Sequence, residues 1–126
     1  MNKADLLRRL EELDFDRGEY WVVSGGAMVL YGLREKTHDL DLGCTTALAD
    51  RLEGRGYPVT RFPDGTRKIT FAEDVELFEN WIYDTVTEVA GIPVISLDGL
   101  LAMKRSLDRE KDRRDIKLIE DFLMKT

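Results

Sequence analysis

SGGAMVLYGLREKTHDLDLG, residues 24–43, joins two runs of different periodicity, and the rest of the chain reads outward from it. Just before its paired glycine, Tyr20-Trp21-Val22-Val23-Ser24 is aromatic and β-branched, which predicts a strand. Its apolar residues fall on both faces, so burial from both sides is expected. Gly25-Gly26 ends that strand. Ala27 to Leu33 is apolar nearly all round and predicts a short buried helix, with Gly32 close to its C-terminal end. Arg34-Glu35-Lys36 reads as a charged loop. Asp39 to Gly43 then alternates carboxylate and apolar side chain with period two, the pattern of a second strand.

This stretch also carries chemistry. On a strand, residues i and i+2 share a face about 7 Å apart. Asp39 and Asp41 therefore project together while Leu40 and Leu42 enter the core. Two ionised carboxylates side by side repel unless a cation lies between them. Mg²⁺ is the expected cation, because it takes hard oxygen ligands and leaves room for substrate phosphates. Read alone, the same pattern also describes an ordinary exposed strand. Glycines between a strand and a helix let a ligand approach the backbone, and the first helical amides point at it. Gly25 and Gly26 thus suit a triphosphate, with the Ser24 hydroxyl as a further donor, or simply make a tight turn. His38 is expected to point away from Asp39 and to be structural. Cys44 reads as a small buried or edge residue rather than a nucleophile, since nothing adjacent lowers its pKa.

Outward from this stretch, Asn2 is a plausible N-cap for a helix of about residues 3 to 14, with Leu6, Leu7, Leu10 and Leu13 on one face. Ala47 to Gly54 predicts a helix capped by Thr46, and Val59 to Phe62 a short strand. Arg67 to Phe71 and Val75 to Phe78 pair naturally as a hairpin across Ala72-Glu73-Asp74. Residues 81–96 are expected to be irregular, with one short strand. Ser96 or Asp98 caps a helix carrying Leu100, Leu101, Met103, Lys104 and Leu107. Arg109 to Arg114 is densely charged, and Asp115 to Leu123 is helical. The expected class is α+β, a mixed sheet flanked by helices. Trp21, Trp81 and Tyr83 read as core residues, with Trp81 and Tyr83 also candidates for the wall of an acceptor pocket.

Composition narrows the field. A chain of 126 residues fits one domain, expected as an N-terminal helix (1–18), a sheet core (20–95) and C-terminal helices (96–126). No apolar run approaches the ~20 residues that span a bilayer. The N-terminus lacks a signal peptide's apolar core, so a cytoplasmic protein is expected. One cysteine excludes an internal disulfide framework. A formal net charge of −6 disfavours non-specific nucleic-acid binding but not a small phosphorylated ligand held by a local basic site.

A third carboxylate is available in Val75-Glu76-Leu77-Phe78, where Glu76 stands between apolar neighbours. Beside Asp39 and Asp41 it completes a cluster able to hold two metal ions and to accept a proton from an attacking hydroxyl. Asp74 has the same parity and is the fallback, and a one-residue slip in register would invert the choice.

Strand, Gly25-Gly26, helix, Asp39-x-Asp41, then an acid on a later strand resembles the nucleotidyltransferase superfamily that includes DNA polymerase β. Thr37-His38-Asp39-Leu40-Asp41-Leu42 looks most like lincosamide nucleotidyltransferases and AbiEii-type proteins. Leu100-Leu101-Ala102-Met103-Lys104 with Arg109-Glu110-Lys111-Asp112 and Asp115-Ile116 is similar to the C-terminal segment of the AbiEii-like group. The resemblance spans roughly residues 20 to 122 and implies a polymerase β-like fold with a mostly antiparallel mixed sheet. It implies Mg²⁺, two ions, on Asp39, Asp41 and Glu76, these three being the catalytic set. It implies a nucleoside triphosphate at Ser24, Gly25 and Gly26, with Lys104 and Arg109 as phosphate partners. Lys111, Asp112 and Asp115 read instead as a solvated, salt-bridged helix face. The implied reaction transfers an NMP group from an NTP to a hydroxyl of a small molecule, RNA or protein. The alternative is a non-catalytic nucleotide-binding or antitoxin-like domain of the same fold. No large helical domain follows the sheet, so a shallow pocket, a second subunit or a protein acceptor is expected, and a homodimer or a toxin–antitoxin partner is the expected protein partner.

Overall fold

The computed structural model describes residues 1–125. Its elements run α1 (Lys3–Leu13), β1 (Tyr20–Val22), α2 (Ser24–Leu30), β2 (Leu40–Cys44), α3 (Thr46–Gly54), β3 (Val59–Arg61), β4 (Arg67–Ala72), β5 (Val75–Glu79), β6 (Val86–Val89), β7 (Ile92–Ile95), α4 (Leu97–Leu107) and α5 (Glu110–Met124). The strands form one mixed seven-stranded sheet in the order β3-β4-β5-β2-β1-β7-β6. β2 runs parallel to β5, and β1 parallel to β7; the other neighbours are antiparallel. This is the expected α+β architecture.

Three helices begin at side-chain caps, whereas α2 starts at Ser24, three residues before the expected Ala27, after Val23 with no side-chain cap. Asn2 and Asp5 form a capping box on α1. The Thr45 hydroxyl accepts from Leu48 N at the start of α3, one residue before the expected cap. Ser96 Oγ accepts from Gly99 N at 3.0 Å and so, of the two candidates, is the cap of α4. α5 starts earlier than expected because the charged run after Arg109 is itself helical.

Residues 81–96 depart from expectation. They hold a hairpin, β6 and β7, joined by Ala90 (φ 53°) and Gly91 (φ 77°). Two left-handed residues are the turn that matches strand twist, but Ala90 is not among the residues that signal it.

The period of two divides the central strands between two faces. Leu40, Leu42 and Cys44 of β2, and Val75 and Leu77 of β5, are buried with Leu6, Leu10, Met28, Leu48 and Leu52 of the helices. The other parity brings Asp41 and Gly43 beside Glu76 and Phe78, with which they are in register. Hydrophobic burial of the first set therefore fixes the direction of the second, because a one-residue slip would exchange them.

The loop before β2 is tied to the chain start. The N-terminal amine donates to Thr37 O (2.6 Å), and Thr37 N donates to Met1 O (2.9 Å). Among the described residues no helix is long and apolar enough to cross a membrane.

Candidate active site

A cavity of about 280 Å³ opens at the start of β2. It is lined by Ser24 and Gly25, by Thr37, His38, Asp39 and Asp41, and by Arg34, Lys104, Arg109, Lys111 and Asp115. Four separate elements thus converge on one place. Asp39 precedes β2 and Asp41 lies within it, and the cavity receives both side chains.

Behind the cavity is a network of buried charge. Lys104 is only 3% exposed, yet its Nζ lies 3.4 Å from Asp112 Oδ1 and 3.0 Å from Asp115 Oδ2. Arg34 Nη2 reaches both oxygens of Asp115 at 2.6 Å. Arg109 Nε donates to Asp112 Oδ2 at 2.7 Å. A buried charge is tolerable only when paired and hydrogen-bonded, and each of these carboxylates has two cationic partners. Asp112 and Asp115 are therefore not on a solvated face, as the charged sequence implied; they are fully buried. Burial alone would raise Asp112, but hydrogen bonds from Arg109, with the charges of Lys104 and Arg109, hold it down at about 2.

The electrostatics at Asp41 run the other way. Burial, then the charges of Glu76 and Asp39, push its carboxyl up to about 6, against the opposing pull of Lys104 and Arg109. Burial is thus the main reason that Asp41 at the start of β2 holds its proton to higher pH, with the neighbouring carboxylates adding to it.

No protein-family model matches the sequence, and no curated relative matches it either. Solved structures do match the architecture. The lincosamide antibiotic adenylyltransferase LnuA, lincomycin-bound, superposes with a TM-score of 0.56 at 20% identity, over 91% of this chain and 92% of its own. ANT(2")-Ia in complex with adenylyl-2"-tobramycin superposes with a TM-score of 0.55 at 16% identity, over 94% of this chain and 85% of its own. The fold is the polymerase β-like nucleotidyltransferase fold.

Within this nucleotidyltransferase fold most of the expected site residues meet, and some do not. Ser24, Gly25, Asp39, Asp41, Lys104 and Arg109 share the cavity. Gly26 faces the core instead: a Cβ there would come within 2.9 Å of Val22 Cγ1, so the glycine permits helix-to-strand packing. Gly25 does approach the loop, where a Cβ would meet Thr37 Oγ1 at 2.4 Å. Ser24 takes a left-handed conformation (φ 57°), strain stored at the junction that faces the cavity. His38 lines the cavity and is not turned away from it, because it precedes β2 and strand alternation does not govern it.

Glu76 is the register partner of Asp41 on the adjacent strand, but Lys68 Nζ holds it at 3.1 Å. Asp74 is taken up by Arg9, whose Nε and Nη2 donate at 2.9 and 3.1 Å, and so ties α1 to the β4–β5 turn. Among the described residues no group of three His, Cys, Asp or Glu side chains is already arranged around a metal position. Two aspartate carboxylates nevertheless suit Mg²⁺, which commonly binds through one or two carboxylates with water and phosphate completing its shell. No local pattern marks Arg34 as a site residue: its partner, Asp115, lies 81 positions along the chain. Tyr83 is 37% exposed and so is no core residue, whereas Cys44 is buried, its thiol pushed up to about 12 by that burial.

Proposed function

We propose that this protein is an Mg²⁺-dependent nucleotidyltransferase that passes an NMP group from a nucleoside triphosphate to an acceptor hydroxyl. The observation that carries the reading is the convergence of Asp39 and Asp41 with Ser24, Lys104 and Arg109 in one cavity. Carboxylates facing phosphate-binding cations are what a metal–triphosphate requires, and Asp39 and Asp41 share the cavity with Lys104 and Arg109, whose ion pairs are to Asp112 and Asp115.

Asp39 and Asp41 would hold Mg²⁺, with Glu76 beside Asp41 as the third ligand when it leaves Lys68. When bound, the metal neutralises phosphate charge and polarises the phosphoryl group that is attacked. Lys104, fixed from behind by Asp112 and Asp115, presents a cation that does not have to be reorganised when charge builds on the phosphates. Arg109 lies at the mouth and Arg34 beside it. Ser24 offers a hydroxyl and its amide. The acceptor oxygen bonds to the α-phosphorus, the bond to the β-phosphate oxygen breaks, and pyrophosphate leaves. Glu76, one strand away from Asp41, would either help hold the second metal ion or take the hydroxyl proton as base.

The structural neighbours, one lincomycin-bound and the other with adenylyl-2"-tobramycin, favour a small hydroxylated acceptor and an adenylyl group. A non-catalytic nucleotide-binding or antitoxin-like domain is the second reading, and the Lys68–Glu76 ion pair favours it, since it neutralises the third carboxylate. The test is incubation with each α-labelled NTP and Mg²⁺ against lincomycin, tobramycin, other hydroxylated small molecules and total RNA, following label transfer and pyrophosphate release. Label on an acceptor, lost with Asp41→Asn, supports transfer. Mg²⁺·NTP binding with no transfer to any acceptor favours the second reading. No Mg²⁺·NTP binding in wild type or in Asp39→Ala/Asp41→Ala overturns both.

A further inference from the structure

A second cavity, of about 420 Å³, shares no lining residue with the aspartate cavity. Phe62, Phe78, Trp81, Tyr83 and Leu107 form its apolar wall. Two strands of connection join it to the aspartate site. Phe78 follows Glu76 by two residues on β5, so both side chains stand on one face of the sheet, about 7 Å apart along the strand. Leu107 follows Lys104 by three residues on α4, so one helical turn spans the two cavities. Tyr83 Oη also donates to Ser106 Oγ at 3.2 Å, which holds the 80–83 loop to that helix.

The wall is built deliberately around a missing side chain. Gly43 is in register with both Trp21 and Phe78, and a Cβ there would come within 2.0 Å of Trp21 Nε1. The indole therefore lies over the glycine and donates to Trp81 O at 2.9 Å. Trp81 in turn packs on Phe78 with ring centroids 4.8 Å apart.

Charge separates the two cavities. The aspartate cavity is lined by Arg34, Lys104, Arg109 and Lys111. Among the described residues the aromatic cavity is lined by no cationic side chain, and its charged groups are the carboxylates of Asp64 and Glu79. Arg67 already pairs with Glu79 at 2.8 Å, whereas Asp64 accepts only from its own turn, at Thr66. A triphosphate is thus drawn to one side and repelled from the other.

We propose that the aromatic cavity is the acceptor subsite, and that it takes a hydroxyl-bearing small molecule with an apolar ring face and a protonated amine. The inference rests on the nucleotidyl-transfer reading for the word acceptor. The ring face stacks on Trp81 and Phe78, and the amine lies toward Asp64 and the aromatic faces. The hydroxyl is directed along β5 toward Glu76, which takes its proton as the oxygen bonds to the α-phosphorus and pyrophosphate departs.

The test uses three probes with one naphthyl body and three charges: propranolol (a cationic amino alcohol), 3-(1-naphthyloxy)-1,2-propanediol (neutral) and 1-naphthyloxyacetate (anionic). Binding is followed by tryptophan fluorescence and protein NMR without nucleotide, for wild type and for Phe62→Ala, Tyr83→Ala and Leu107→Ala. These side chains are 36–38% exposed, so the variants retain the fold. The expected order is cation, neutral, anion, with roughly 2–5-fold between the first two, and each variant weakens propranolol by about 5-fold or more. With Mn²⁺ and ATP added, the resonances of bound propranolol broaden. No binding, an anion-first order, or variants that bind like wild type overturn the subsite while leaving Mn²⁺·ATP binding, and so nucleotidyl transfer, standing. Probe binding with no Mn²⁺·ATP binding overturns the transfer reading and, with it, the acceptor assignment. Both binding without broadening overturns the adjacency on which the proposal depends.

Discussion

At the scale of single residues, Asp41 sets function against stability. Its usual carboxyl pKa of 3.8 is raised to about 6 in the fold, first by burial and then by Glu76 and Asp39. A raised folded-state pKa means stability that is fully present below about 4 and is lost as pH rises through about 6. Asp41→Asn, uncharged throughout, should therefore raise the melting temperature of the metal-free protein at pH 8 by roughly 3–6 °C. The gain should vanish near pH 4, where the wild-type carboxyl is protonated. Thermal melts across that range check this, and an Asn variant no more stable at pH 8 would refute it. Label transfer by the same variant should fall by about 100-fold or more. Asp112 and Glu79 behave oppositely. Burial opposes ionisation of Asp112, but the hydrogen bonds and charges around it bring it down to about 2; Arg67 does the same for Glu79, also to about 2. Their contribution is present above their usual values and is lost as pH falls toward 2. Asp112→Asn should flatten the pH dependence of urea stability between pH 4.5 and 2 relative to wild type.

At the scale of elements, two contacts decide how the helices and strands hold the site. α4 and α5 are joined by Lys104, Asp112 and Asp115, all under 4% exposed. Lys104→Met removes the central cation and leaves two buried carboxylates with only Arg109 and Arg34 to compensate them. It should cost about 3 kcal/mol, and Asp112→Asn added to it should restore part of the loss, a coupling that urea melts of the double-mutant cycle measure. Equal and additive losses would mean that the network is not cooperative. β1 and β2 meet at Trp21 and Gly43, where the indole lies in the space a Cβ would fill. Gly43→Ala should displace the ring, break its bond to Trp81 O and cost about 1–3 kcal/mol, with a red shift of the tryptophan emission as the readout. How much of this was legible differs by element. β5 was legible because its alternation is strict. The β6–β7 hairpin was not, because its left-handed turn is carried in part by Ala90, which has no intrinsic preference for it. Lys111, Asp112 and Asp115 read as a solvated face because charged runs usually are; Lys111 is exposed, but Asp112 and Asp115 are buried against Lys104 of α4, with Arg34 reaching Asp115 from the loop before β2.

At the scale of the whole molecule, a chain with a formal charge of −6 gathers Arg34, Lys104, Arg109 and Lys111 beside one pair of aspartates. Long-range repulsion of polyanions is thus combined with local attraction for a compact one. Raising salt from about 50 to 500 mM, which shortens the screening length several-fold, should weaken Mg²⁺·ATP binding several-fold. Binding of the neutral naphthyl probe to the aromatic cavity should be unchanged over the same range, and calorimetry of both ligands tests the contrast. Equal salt sensitivity would show that the two cavities do not differ in field.

Sequence alone determined what is local. Alternation set the faces of β2 and β5, caps marked the starts of α1 and α4, and the resemblance singled out Ser24, Gly25, Asp39, Asp41, Lys104 and Arg109, which share one cavity. Periodicity and capping act over a few residues, so they survive in a string of letters. The tertiary structure decided what depends on distant partners. It put Asp41 in register with Glu76, gave Asp74 to Arg9, turned Gly26 into the core and His38 into the cavity, and buried Asp112 and Asp115 around Lys104. It also laid Trp21 over Gly43, the last residue of the opening stretch, and so built the wall of the second cavity. Burial and charge pairing depend on three-dimensional distance, and residues such as Asp41 and Glu76, Arg9 and Asp74, or Arg34 and Asp115 become neighbours only when the chain folds.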